Sequence, residues 1–232
     1  MRATRLITDS TPGSPESALL PFARVSPVPP VFAIVLAAGR SSRFGSDKLL
    51  APLRGRAVLA HVLDTAAASA RDGILRAVFL VVRDPGGPEA RLGHESGAIV
   101  VVAERAGDGF ALSLRAGLER VAATAPANGA AALVLLGDQP AIRRDVIAEV
   151  VRRWRATGAD AVRPRYADRP LEPGHPVLLD RRLWPKVTTL EGDAGPGKLL
   201  HSTAIELVDV PGHNPDIDTP ADLAAFPPVE NA

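Results

Sequence analysis

Residues 31–48 read VFAIVLAAGRSSRFGSDK. Val31 to Ala37 is an uninterrupted apolar run, the length and composition of a strand buried on both faces. It breaks at Ala38-Gly39, two small residues that permit a sharp turn of the backbone. Arg40, Ser41, Ser42, Arg43, Gly45 and Lys48 then place positive charge, hydroxyls and small spacers in one loop. A strand that ends in a glycine-containing basic loop is how an α/β sheet receives phosphate groups, at the carboxyl edge of its strands. The stretch therefore predicts an α/β fold and marks the loop as a nucleotide site.

Composition sets bounds around this reading. The chain has 232 residues, 46% of them hydrophobic and only 4% aromatic, enough for one large α/β domain or two small ones with an aliphatic core. Its 27 basic and 26 acidic residues nearly cancel, so no overall field attracts nucleic acid or an anionic membrane, and neither is expected as a partner. Anion binding must be local. The absence of cysteine excludes disulfides, thiolate metal sites and a cysteine nucleophile, and fits a cytoplasmic protein. The longest apolar run, Val31 to Ala38, falls far short of the ~20 residues of a membrane span.

Outward from the opening stretch, residues 1–30 carry six prolines among Ser, Thr and Gly without apolar periodicity, and predict a disordered or surface tail. Residues 31–232 are expected to form a single domain. Val58, Leu59, Val62 and Leu63 have helical spacing and predict a helix over about 56–70. Arg76 to Val82 and Ala98 to Ala103 read as strands, with the turn Asp84-Pro85-Gly86-Gly87 and room for a short helix between them. A helix is predicted over Ala111–Ala123 and a further buried strand over Ala130–Leu136. Arg143 to Arg155 fits a helix with Val146, Ile147, Val150, Val151 and Trp154 on one stripe. This alternation implies a mostly parallel sheet with helices on both faces. Beyond Asp160 the texture changes: Asp160–Pro164, His175–Leu179 and Ala204–Val210 look like strands joined by turns rich in Pro and Gly.

Two acidic motifs stand out. Asp138 directly follows a buried strand in LGDQP, where a carboxylate points into the crevice of such sheets. It reads as a magnesium ligand or as the N-cap of the following helix, and the two roles can coexist. Asp216 and Asp218 lie in NPDIDTPADL, where Thr219-Pro220 signals the start of a helix and Asp218 or Thr219 is the cap. In an extended stretch both aspartates face the same way. Gly192 to Lys198 meets the spacing G-x-x-x-x-G-K, but Leu199 replaces the hydroxyl that binds magnesium and no clear strand precedes it, so a P-loop is not supported. The five histidines lack zinc spacing. His61 reads as an ordinary helix residue, and His175, between Gly174 and Pro176, is the histidine expected to contact a ligand. Neither Ser41 nor Ser113 has a base partner for acyl transfer.

Taken together, LAAGRSSRFGSDK, LGDQP, GHPVL, GDAG and DIDTPADL resemble, in order and approximate spacing over about residues 31–226, the molybdenum cofactor cytidylyltransferases of the MobA-like nucleotidyltransferases. The resemblance implies a Rossmann-like, GT-A-like nucleotidyltransferase fold and transfer of CMP from CTP to the terminal phosphate of molybdopterin, with release of pyrophosphate. It implies that Ala37, Ala38 and Gly39 approach the base and ribose, Arg43 and Lys48 bind the triphosphate, and Asp138 and Asp218 hold Mg2+. Ser113 and His175 would line the acceptor side, and a molybdoenzyme of the xanthine dehydrogenase type would be a partner. LAAG rather than LAGG favours CTP over GTP within the family. A phosphate acceptor is already an anion, so Lys48, Arg43 and Asp138 would act by positioning and neutralising charge, without a general base.

The sequence departs from the family pattern at Phe44, where Met is usual, at Glu104-Arg105 and Asp108, and at Gly197, where the family carries Arg and Lys198 is the nearest substitute. The last two departures fall on the acceptor side. A relative using GTP or another phosphorylated acceptor, and a non-catalytic chaperone of a molybdoenzyme, are the alternative readings. A chaperone predicts eroded metal ligands, whereas Asp138, Asp216 and Asp218 are all present.

Overall fold

The computed structural model describes residues 28–39, 44, 47–103, 109–187, 203 and 205–226. The apolar run of the opening stretch is strand β1 (Val31–Leu36), buried along its whole length. Its side chains alternate between two cores. Val31, Ala33 and Val35 join one, and Phe32, Ile34 and Leu36 join the other. A strand covered on both faces has no position for a polar side chain, which is why the sequence shows a continuous apolar run instead of alternation.

A two-stranded hairpin, β2 (Pro52–Leu53) and β3 (Arg56–Ala57), precedes α1 (Val58–Arg71). Next come β4 (Ala77–Val82), α2 (Pro88–Glu95), β5 (Ile99–Val102), α3 (Phe110–Ala122), β6 (Ala131–Leu136) and α4 (Arg144–Thr157). β7 (Ala161–Tyr166), β8 (Val177–Asp180), α5 (Trp184–Val187), β9 (Ile205–Val210) and α6 (Pro220–Ala224) complete the described elements. Seven strands form one sheet in the order β5-β4-β1-β6-β8-β7-β9. All neighbouring pairs are parallel except those of β8, which runs antiparallel to both β6 and β7. α1, α2 and α4 cover one face, through Leu59, Leu63, Ala90, Ile147 and Trp154. α3 and α5 cover the other, through Leu114, Leu118 and Trp184. This is the mostly parallel, doubly covered sheet that the alternation of strands and helices implies.

The elements lie within a few residues of their sequence expectations, and the α4 stripe is buried as its period requires. The helix expected from about 56 begins at Val58 because Pro52–Ala57 folds back as the hairpin, turning at Arg54 and Gly55, both with positive φ (54° and 78°). The capping reading of Asp138 fails: Arg143 holds the N-cap position of α4, five residues further on. The reversal of β8 has a local cause. No crossover helix separates it from β7, and two strands joined directly by a loop pair antiparallel. A buried tie holds the end of β8: the Trp154 indole N–H donates to Asp180 Oδ2 (3.0 Å), while Asp180 Oδ1 accepts from the Arg182 backbone N–H (3.0 Å).

Candidate active site

β1 is the strand at which the sheet order switches direction, with β4 on one side and β6 on the other, and their carboxyl ends bound the crevice. Leu36 lies opposite Leu136 in register, and the Gly137 N–H donates to Leu36 O at 3.0 Å. A Cβ at position 137 would stand 3.0 Å from that same oxygen, so glycine lets the two strand ends close together. Asp138 is the next residue and emerges at the mouth. Its backbone carbonyl accepts from the Ile217 N–H (3.0 Å), which straps the segment before α6 across the end of β6. Ile217 is completely buried beside Leu53 and Val58. Burying this one residue leaves Asp216 and Asp218 flanking it at the crevice.

Lys48 approaches from the turn after the basic loop, a turn fixed by the Leu49 N–H donating to Asp47 Oδ1 (3.1 Å) and by buried Leu49, whose carbonyl accepts from the Leu59 N–H (2.9 Å). Its Nζ lies 2.6 Å from Asp138 Oδ2 and 2.8 Å from Asp218 Oδ1. The side chains of Lys48 and Asp138 are 14% and 19% exposed, so water screens their pairing only weakly. Burial works against the ammonium, yet the charges and hydrogen bonds of Asp138 and Asp218 outweigh it and raise the lysine pKa, keeping it charged. Asp216 lies beside this pair. Desolvation, and then the neighbouring Asp138 charge, raise its carboxyl above the ordinary range, while the hydrogen bond from Gln139 pulls the other way.

A second layer sits behind the carboxylates. Gln139, 7% exposed, donates through Nε2 to Asp216 Oδ1 and accepts from Asn214 Nδ2 (3.2 Å) at Oε1. Asn214 also donates to His175 O (3.4 Å), and the Tyr166 hydroxyl donates to the same carbonyl (2.8 Å). These side chains line a cavity of about 170 Å³ beside the carboxylates, with Arg169 at its rim. The His175 peptide bond to Pro176 is cis. Burial, with Arg163 nearby, lowers the His175 imidazole to about 4, so the ring is neutral at physiological pH.

The expected site residues thus divide. Lys48, Asp138 and Asp218 converge on one point, and His175 borders the adjacent cavity. The Ala37 and Ala38 side chains are buried in the core, so these residues present only backbone to a ligand, while Gly39 is exposed. Ser113 is 6% exposed on α3, and no hydrogen bond among the described residues joins it to His175. Arg43, the 104–108 segment and Gly192 to Lys198 lie outside the described residues. Gln139, Asn214 and Tyr166 received no role from the sequence, although Gln139 and Asn214 stand inside the two quoted acidic motifs.

Two observations fit a hard divalent cation at Asp138 and Asp218. Asp138 Oδ1 is buried without a hydrogen-bond partner, and a cation, the Lys48 ammonium, already bridges the two carboxylates. Among the described residues no group of three or more acidic or histidine side chains is arranged to hold a metal. Two carboxylates, with substrate phosphates and water completing the shell, are the habit of Mg2+.

Two predictions follow from the second layer. Gln139→Ala removes both the tether to Asp216, the carboxylate beside the Asp138–Asp218 pair, and the acceptor for Asn214, so it is expected to weaken Mn2+ binding measured with a non-hydrolysable nucleoside triphosphate present by up to about 10-fold, the lower end of the usual effect of losing a supporting residue behind a metal site. Titration of Mn2+ by electron paramagnetic resonance, with unchanged circular dichroism, checks this; unaltered affinity would remove the positioning role. His175 binds its proton more weakly folded, at about 4, than unfolded, at about 6.5. The unfolded state therefore holds more protons between these values, and stability drops as pH falls through that window, by roughly 3 kcal/mol at full protonation. His175→Gln is expected to flatten the loss of melting temperature between pH 6.5 and 4, and an unchanged slope would assign the loss to other groups.

The family described as the MobA-like NTP transferase domain matches residues 33–209. The bifunctional protein GlmU of Paramagnetospirillum magneticum is 34% identical over 147 residues, which are 61% of this chain; the chain spans 29% of the length of that curated relative. Among solved structures, Rv0371c of Mycobacterium tuberculosis H37Rv superposes with a TM-score of 0.67 at 31% identity, over 86% of this chain and 98% of its own. Its complex with manganese gives a TM-score of 0.65 at 28% identity, over 88% of this chain and 100% of its own. Among the described residues no helix is long and apolar enough to cross a membrane.

Proposed function

The chain belongs to the MobA-like NTP transferase family, and we propose that within it the protein transfers CMP from CTP to the terminal phosphate of a molybdopterin-type acceptor, using Mg2+. The observation that carries this reading is the meeting of Lys48, Asp138 and Asp218, residues of three separate motifs, at the carboxyl end of the switch-point strands. Asp138 and Asp218 would hold the Mg2+, which supplies neutralisation of the triphosphate charge. An oxygen of the acceptor phosphate attacks the α-phosphorus. The bond from that phosphorus to the α–β bridging oxygen breaks, pyrophosphate leaves, and a new phosphoanhydride joins CMP to the acceptor. The attacking oxygen is already anionic, so no side chain needs to take a proton.

Lys48 binds and orients the β- and γ-phosphates, and Arg43 is assigned to the same polyphosphate. The backbone of Ala37, Ala38 and Gly39 approaches the nucleoside. His175, held neutral, borders the acceptor cavity without adding charge to it, and Ser113 is assigned to the same side. A molybdoenzyme of the xanthine dehydrogenase type would receive the product.

Incubation with CTP, Mg2+ and the molybdenum cofactor is expected to release pyrophosphate and form the cytosine dinucleotide. Release with GTP alone, or only with a different phosphorylated acceptor, would reassign the substrate. No release with either nucleotide would overturn the transfer reading.

A further inference from the structure

The Lys48 ammonium occupies the position between Asp138 and Asp218 that a divalent cation would take, at 2.6 and 2.8 Å from their oxygens. The same lysine is the residue assigned to the polyphosphate under the proposed function, on which this inference rests. It has one charge and two competing sets of anions. We propose that Lys48 is the specificity-determining residue of the carboxylate pair: it excludes a free divalent cation in the absence of nucleotide, and a polyphosphate that draws it away opens the pair to metal.

The physical basis is competition at short range. Two carboxylates brought within reach of a single ammonium repel each other; Asp138 and Lys48 are largely buried while the Asp218 side chain is 45% exposed, so solvent screens that repulsion only in part and a cation between them is favoured. Lys48 provides that cation from within the chain. A free metal ion must either displace a well-placed ammonium or bind beside it against like-charge repulsion, and both lower its affinity. An incoming polyphosphate offers Lys48 several anionic oxygens, so the ammonium can leave the carboxylates without losing its ion pairing. The vacated carboxylates and the same phosphates then present oxygen donors to one ion. Asp138 Oδ1, buried without a hydrogen-bond partner, becomes satisfied only in that second arrangement.

The consequence is positive coupling between nucleotide and metal that passes through a side chain exchanging partners, and by linkage the metal strengthens nucleotide binding by the same factor. It also makes the site selective for the pair of ligands over either one. Abundant free divalent cations do not fill the crevice, and the resting site remains free of a metal ion able to promote hydrolysis.

The test measures Mn2+ affinity by electron paramagnetic resonance in the full-length protein, with and without an α,β-methylene analogue of CTP. For the wild type, weak binding alone and binding tightened about 10-fold or more by the analogue are expected, within the 5–150-fold range common for coupled sites. Lys48→Met is expected to bind Mn2+ about 10-fold more tightly than the wild type without nucleotide, and to show a smaller tightening by the analogue. Arg144→Met, which removes an equal charge from a surface pair with Asp72, is expected to leave Mn2+ affinity unchanged. Should Lys48→Met prove poorly folded, the wild-type coupling and the Lys48→Arg variant, which keeps the charge and the weak binding of metal alone, carry the test. Equal Mn2+ affinity in wild type and Lys48→Met, or tight Mn2+ binding by the wild type alone, would overturn the exclusion while leaving nucleotidyl transfer intact. Tighter Mn2+ binding by Lys48→Met in a protein that binds no nucleotide would support the exclusion and overturn the transfer reading.

Discussion

Asp138→Ala is expected to reduce turnover by about 10³-fold or more while leaving the fold intact, measured as pyrophosphate release alongside circular dichroism. Losing one preorganised electrostatic partner at a developing charge costs about 10²–10³ in rate, and Asp138 has more than one such function. Its Oδ2 is the nearer anchor of Lys48, and its Oδ1 is the buried, unpartnered oxygen best disposed for a cation. The fold should survive because the residue contributes no core packing and its backbone contact with Ile217 does not depend on the side chain. Asp138→Asn, which keeps the shape and removes the charge, should be nearly as inactive. Activity within a few-fold of wild type in either variant would refute the role of the carboxylate.

Lys48→Ala is expected to lower turnover by about 10²–10³-fold, the loss of one charged contact to the departing pyrophosphate as its charge develops. It should also raise the KM for the nucleotide, because the ammonium already contacts the phosphates in the ground state, while the loss of turnover reflects the part of that contact that strengthens in the transition state. The fold should tolerate the change, since the surrounding turn is held by the buried Leu49 and by Asp47 rather than by the ammonium. Because Lys48 and Asp138 act as one unit, the double variant should be little worse than Asp138→Ala alone. Losses that simply multiply would indicate that the two side chains act independently and would refute the shared site. Near-normal turnover in Lys48→Ala would remove its catalytic role altogether.

Much of the architecture was legible because its signals are local. The continuous apolar runs of β1 and β6 can only be strands covered on both faces, and the α4 stripe has one periodicity and one buried side. The carboxylates at the ends of those runs were equally readable, since a strand end has one place to put the next residue. The hairpin over Pro52–Ala57 leaves no signal in the sequence because its strands are two residues each, too short to carry a period. The direction of β8 was not read because a strand's own pattern is the same in either sense; only its loop to β7 distinguishes them.

Within the site the division falls at a similar line. Local pattern is enough to say which residues carry charge and where strands end: Lys48 after a basic loop, Asp138 after β6, and Asp216 and Asp218 either side of an apolar Ile217. Their meeting was decided only by tertiary structure, because Lys48 and Asp218 are 170 positions apart and are joined by the burial of Ile217 and its hydrogen bond to Asp138. The cap reading of Asp138, which sequence left open beside that of a ligand, ended with Arg143 at the start of α4. Gln139 and Asn214 gained a role the same way: a polar side chain carries no periodicity, and its function is set by the partner that folding brings within hydrogen-bonding distance.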